Sequence, residues 1–122
     1  MYPIKFKPVL KQTIWGGYKI IPFKHLDESL SNVGESWEIS AVEGSESVVA
    51  NGADEGLTLP EMVRKYKVDL VGESNYTRFG NDFPLLIKFI DAKLDLSVQV
   101  HPTDELARKR HNAFGKNEMW YV

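Results

Sequence analysis

Residues 95–102, Asp95-Leu96-Ser97-Val98-Gln99-Val100-His101-Pro102, alternate in polarity at every step, the repeat of an extended segment whose successive side chains point to opposite faces. Leu96, Val98 and Val100 take one face, and Ser97, Gln99 and His101 take the other. Such a stretch is expected to lie in a sheet with an apolar side to cover and a polar side that gathers a hydroxyl, an amide and an imidazole. Seventeen residues after His101, Glu118 opens a second strand-like run, Glu118-Met119-Trp120-Tyr121-Val122. A carboxylate brought in from a neighbouring strand would complete a mixed nitrogen and oxygen donor set for a metal, with room for a hydroxylated ligand.

The remaining pattern is also mostly that of short strands. Gly34-Glu35-Ser36-Trp37-Glu38-Ile39-Ser40 alternates and predicts a strand, with Trp37 and Ile39 opposed to Ser36, Glu38 and Ser40. Trp15-Gly16-Gly17 predicts a turn or a place of close backbone approach. Residues 44–56 are polar and glycine-containing, with Val48-Val49 as a short strand inside them. Thr58-Leu59-Pro60-Glu61 is a helix start, with Thr58 and Glu61 spaced as a capping box, and the helix should run to about Tyr66. Residues 72–82 read as loop. Phe83-Pro84-Leu85-Leu86-Ile87-Lys88-Phe89-Ile90 reads as a buried strand, and residues 103–112 as a short surface helix closed before Gly115. Short strands with a few small helices point to a mainly β sandwich or barrel.

Composition narrows the function. The 122 residues, 43% hydrophobic and 26% charged, suit one small domain that buries roughly two-thirds of its unfolded surface. A net charge of −2 gives none of the basic footprint that nucleic acid requires. No apolar run approaches the ~20 residues of a membrane span. Lys5, Lys7 and Lys11 are not followed by the apolar stretch of a signal peptide, so the expected location is the cytoplasm. Cysteine is absent, so any metal must be held by histidine, carboxylate or amide groups. Only three histidines exist, His25, His101 and His111, and a site built from all three would need distant segments to converge. The chain stops inside an apolar strand-like run, and this predicts that residues 1–122 are the front part of a larger domain.

Gln99, His101 and Glu118 are therefore the candidate metal ligands. Three protein ligands leave an open position. The same residues also suit a strand end, a satisfied core amide and a solvated carboxylate. Lys88 interrupts an apolar run, where a buried ammonium needs an anion. A phosphate or carboxylate ligand would serve, and so would an edge lysine reaching water or a pair with Asp91. Lys116 shares a face with Glu118 if the strand starts that early, and it suits either an anionic substrate group or a turn. Ser97 could donate to a phosphate oxygen or simply face water.

In order along the chain, Trp15-Gly16-Gly17, Gly34 to Ser40, Pro84-Leu85-Leu86-Ile87-Lys88, Leu96 to Pro102 and Gly115-Lys116-Asn117-Glu118-Met119-Trp120-Tyr121 together resemble type I mannose-6-phosphate isomerase. They are most similar to the N-terminal portion in its short bacterial form. The resemblance implies a partial cupin-like β-barrel or jelly roll with a few short helices. It implies one Zn2+ held by Gln99, His101 and Glu118, and a fourth protein ligand, a histidine, beyond residue 122. It also implies a sugar-phosphate substrate met by Ser97, Lys88 and Lys116, with Lys116 as the catalytic candidate, and an arginine further along the chain. The implied reaction interconverts mannose 6-phosphate and fructose 6-phosphate, with the 122-residue piece inactive alone. A non-catalytic cupin-like module that binds a sugar or sugar phosphate is the alternative, and the oligomeric state is left open.

Overall fold

A computed structural model of the chain describes residues 1–122. Five strands form two antiparallel sheets with short helices between them, in keeping with the mainly β expectation. The larger sheet has the order β2 (Val9–Gly17), β3 (Val33–Ile39), β5 (Ile87–Ile90). The smaller pairs β1 (Phe6–Lys7) with β4 (Val48–Val49). The strands anticipated at 34–40 and at Val48-Val49 are thus both present.

Register fixes which side chains share a face. Lys11 lies opposite Glu35, and Glu35 opposite Ile90. Val9 lies opposite Trp37, and Trp37 opposite Lys88. Opposed residues in an antiparallel pair point to the same side, so Lys11, Glu35, Trp37 and Lys88 share one face of the sheet. The alternate residues Ser36 and Ser40 are fully buried. Their polar groups are satisfied, as burial requires: Ser36 Oγ donates to Glu38 Oε1 (2.6 Å), and Ser40 N–H donates to Ser47 Oγ (2.9 Å).

Gly16 and Gly17 end strand β2 rather than forming a turn. Close approach is their reason. A Cβ on Gly16 would stand 2.2 Å from the Asn32 carbonyl oxygen, and one on Gly17 would stand 2.3 Å from Asp91 Oδ1. Asp91, only 8% exposed, brackets this corner. Its backbone accepts from Gly17 N–H (2.9 Å) and donates to Gly34 O (2.9 Å). Its carboxylate accepts the N–H groups of Lys19 and Ile20 where helix α1 (Ile20–Phe23) begins. Ile20 and Ile21 then pack on Val33, with Leu10, Leu26 and Leu30 around them.

Helix α2 (Leu59–Tyr66) starts as the sequence predicts. Glu61 N–H donates to Thr58 Oγ1 (3.4 Å), and Thr58 N–H donates to Glu61 Oε2 (2.7 Å). Leu59, Met62 and Val63 are buried beneath it. Residues 72–82, read as loop, instead contain helix α4 (Glu73–Phe79), which follows α3 (Val68–Val71) across Gly72. Tertiary packing overrides weak local propensity here: Phe79, Leu70 and Val71 line an apolar recess of about 350 Å³ with Ile4, Phe6 and Phe83. Helix α5 (Asp104–His111) matches the predicted surface helix. Thr103 Oγ1 accepts from Leu106 N–H (3.4 Å), acidic residues lie in its first turn and basic ones in its last, the charge order that suits the helix dipole.

Three expected strands are corrected. Of residues 83–90 only Ile87–Ile90 pairs, and it forms a half-exposed edge with β3 as its single neighbour. Pro84 has no N–H to give to a ladder. Residues 95–102 and 118–122 are not strands, because a strand exists through inter-strand hydrogen bonds and these segments meet no partner strand. Val98 (99% exposed), Val100 (93%) and Met119 (94%) stand in the open.

Replacing Asp91 by Ala should leave the Lys19 and Ile20 N–H groups without their acceptor and cost about 1–3 kcal/mol. Urea unfolding followed by Trp fluorescence measures it, and an unchanged midpoint would show that the bracket adds nothing.

Candidate metal centre

Although residues 95–102 pair with no strand, His101 and Glu118 still meet. The link is the excursion through α5. Asp104 Oδ1 accepts from Gly115 N–H (2.9 Å), Ala113 N–H reaches Ala107 O (3.4 Å), and Lys116 N–H donates to Pro102 O (3.3 Å). Gly115 is held so close that a Cβ there would stand 2.5 Å from Asp104 N and 2.7 Å from Pro102 O. Residue 116 is thereby fastened beside residue 102, and the side chains on either side converge.

The His101 Nε2 atom lies 2.9 Å from Glu118 Oε2, and Lys116 Nζ lies 2.6 Å from Glu118 Oε1. With Glu118 ionised, His101 Nε2 must carry the hydrogen in this contact. The Lys116 ammonium, and after it the His101 ring, hold the Glu118 carboxyl down to about 2 from the usual 4.5.

His101 and Glu118 carry donor types that zinc accepts, but no group of three histidine or carboxylate side chains that could hold a metal ion stands together here. Nitrogen and oxygen ligands each about 2.0–2.1 Å from a tetrahedral zinc stand about 3.3 Å apart. The observed 2.9 Å separation is a few tenths of an ångström short of that and is the distance of a direct hydrogen bond. Gln99 and Ser97 stand exposed in the unpaired segment before His101 and form no hydrogen bond with this pair. The structure therefore brings together His101, Glu118 and Lys116 of the expected set, and leaves Gln99 and Ser97 outside it.

Lys88 stands in an ion pair of its own. It pairs with Glu35 rather than Asp91, Lys88 Nζ to Glu35 Oε1 at 2.7 Å. Trp37 Nε1–H donates to the other oxygen of the same carboxylate (2.6 Å), and the Lys11 ammonium lies 4.6 Å from the Trp37 ring centre. Partial burial pushes the Glu35 carboxyl up, but the hydrogen bonds from Lys88 and Trp37 and the charges of Lys88 and Lys116 outweigh it and hold it below its usual value.

Glu35 is a residue that the sequence reading did not single out. Glu38 is engaged elsewhere, with Lys24 and Ser36 on the other face of β3. The available signal was register: Glu35 shares the face of Trp37, and the lone lysine of the next strand falls opposite Trp37.

A family model described as the type I phosphomannose isomerase catalytic domain matches residues 4–119. Mannose-6-phosphate isomerase ManA of Bacillus subtilis is 43% identical over 121 residues, 98% of this chain and 36% of that protein. The crystal structure of the mannose 6-phosphate isomerase from Bacillus subtilis superposes with a TM-score of 0.79 at 35% identity, over 94% of this chain and 35% of that one. That of the Salmonella typhimurium mannose 6-phosphate isomerase, bound to its substrate F6P and a zinc atom, superposes at 0.73 with 27% identity, over 89% and 28%. The chain spans about a third of the length of the curated relative it matches.

A carboxylate whose pKa is depressed in the folded state adds stability above its unfolded pKa, and that gain disappears as the pH falls through the folded value. The contribution of Glu118 is therefore full above about pH 4.5 and lost towards pH 2. In the metal-free chain the Glu118 carboxyl carbon, followed by NMR, should titrate near 2, and Lys116→Met should move the midpoint up towards 4.5. A midpoint near 4.5 without the substitution contradicts the ion pairing.

Proposed function

The chain belongs to the type I phosphomannose isomerase catalytic-domain family, and from that membership we propose that it supplies the metal- and substrate-binding part of a zinc-dependent aldose–ketose isomerase acting on mannose 6-phosphate and fructose 6-phosphate. The observation that carries this reading is the convergence of His101, Glu118 and Lys116, at 2.9 and 2.6 Å, from segments seventeen residues apart. In this proposal Gln99, His101 and Glu118 hold zinc, Ser97 and Lys88 bind the sugar phosphate, and Lys116 faces the reacting oxygens.

Isomerisation moves the C2 hydrogen of the aldose to C1 as a proton, while the hydroxyl proton passes from O2 to O1, so that atoms and charge balance across the step. Negative charge builds on an oxygen while the C–H proton is in transit. Zinc, when bound, supplies a Lewis acid that polarises the carbonyl and steadies that charge. A neutral Gln99, in place of a second carboxylate, keeps the site more electropositive. Lys116 is an ammonium already directed at the same place through Glu118, and it offers further N–H donors to an adjacent oxygen. Lys88 carries a positive charge for the phosphate end. No helix of the chain is long and apolar enough to cross a membrane.

Turnover is assigned to a protein of the relatives' length. Expressed at that length, the protein should convert mannose 6-phosphate to fructose 6-phosphate in a coupled assay. It should lose the activity on dialysis against a strong chelator and regain it with zinc. Undiminished turnover by metal-free protein rejects the zinc assignment, and zinc binding without turnover favours a sugar-phosphate binding module. The 122-residue chain alone should form no fructose 6-phosphate.

A further inference from the structure

Glu35 makes two bonds at once, one through each carboxylate oxygen: Trp37 Nε1–H at 2.6 Å on Oε2 and the Lys88 ammonium at 2.7 Å on Oε1. Turning the carboxylate breaks both. Trp37 and Lys88 are direct cross-strand partners, and Glu35 lies two residues before Trp37 on the same face, so the sheet register itself builds the triad. The Lys88 and Glu35 side chains are only 21% and 16% exposed. Lysine otherwise carries large rotamer freedom, and fixing it in advance removes that cost from any later binding event. An ammonium has three N–H donors. Glu35 takes one, leaving donors for a second acceptor, and the Lys116 charge acts on the same carboxylate.

We propose that Glu35 is the positioning residue of the site, holding the Lys88 ammonium in a fixed orientation for the anionic group of the substrate, with the Trp37 indole fixing Glu35 in turn. This rests on the isomerase reading and extends it to a residue that touches no substrate. A cross-strand ion pair serving stability alone would leave substrate affinity untouched, and that difference makes the two roles separable.

Two measurements test it. In the 122-residue chain, the Lys88 ammonium should give a resolved ¹H–¹⁵N signal of slowed exchange, lost in Glu35→Gln; its persistence in that variant overturns the proposal. In the protein of the relatives' length, Glu35→Gln should raise KM about tenfold with kcat changed less than about twofold, the pattern of lost binding rather than lost chemistry. Lys88→Gln should do at least as much, and the double variant should be no worse than Lys88→Gln alone, because both act through one ammonium. Unchanged KM in Glu35→Gln, or additive losses in the double variant, overturns the proposal. If Glu35→Gln fails to fold, Trp37→Phe carries both measurements with a smaller rise in KM of the same kind, and an unmoved KM there overturns it. Absence of isomerase activity in the unsubstituted long protein would count against the proposed function, while the ammonium signal still decides whether Glu35 holds Lys88.

Discussion

Strand β3 is the one strand with a neighbour on each edge, and its two faces are committed to different tasks by the side-chain alternation of an extended chain. The buried side places Ser36 and Ser40 inside, where each finds a hydrogen-bond partner, and packs Val33 against α1. The opposite side presents Glu35 and Trp37 to Lys88 and Lys11. A slip of one residue in the pairing would exchange the two sides, burying Glu35 and exposing the serines. The register is pinned at the far end of the strand by Asp91, whose backbone bonds Gly17 and Gly34 while its carboxylate holds the start of α1. Gly17 has no Cβ because that carboxylate occupies the space. Packing and site chemistry therefore depend on one alignment.

The polar face is organised as cation–carboxylate pairs: Lys88 with Glu35, and Lys116 with Glu118, the latter also meeting His101. Each pair is close to neutral, so the face holds its charges without the repulsion that two bare lysines would impose. Partly exposed pairs of this sort add little to stability. What they provide is orientation. Each cation keeps N–H donors beyond the one it gives its carboxylate.

Much of this was legible in the residues, and where it was not the reason is physical. Capping chemistry is local, so Thr58 with Glu61 marked α2 correctly, and the charged run at 103–112 marked α5. Alternation at 34–40 marked β3. Residues 73–79 were missed because their helix takes its place beside α3 and lines, with Phe79, a recess shared with Ile4 and Phe6, far away in sequence and invisible to local propensity. The meeting of His101 with Glu118 was anticipated from two paired strands, whereas the structure achieves it through the α5 excursion and the Gly115 contact. Glu35 was hidden because its role is created by cross-strand register, which a single strand does not display.

The segment 95–101 brings fold and site together. Its sequence alternates polar Ser97, Gln99 and His101 with apolar Leu96, Val98 and Val100, yet its backbone makes no hydrogen bonds and Val98 and Val100 are bare. His101 is fixed because the residue after it is tied to Lys116; two residues earlier nothing performs that service for Gln99. Pairing of this segment with a neighbouring strand would fix the pleat, cover the valines and aim the Gln99 amide to the side where His101 and Glu118 already meet. Metal binding and strand pairing would then favour each other, since each orders the groups the other needs. The imidazole and the carboxylate are therefore held by the local excursion through α5, whereas Gln99 lies on a stretch that no backbone hydrogen bond fixes.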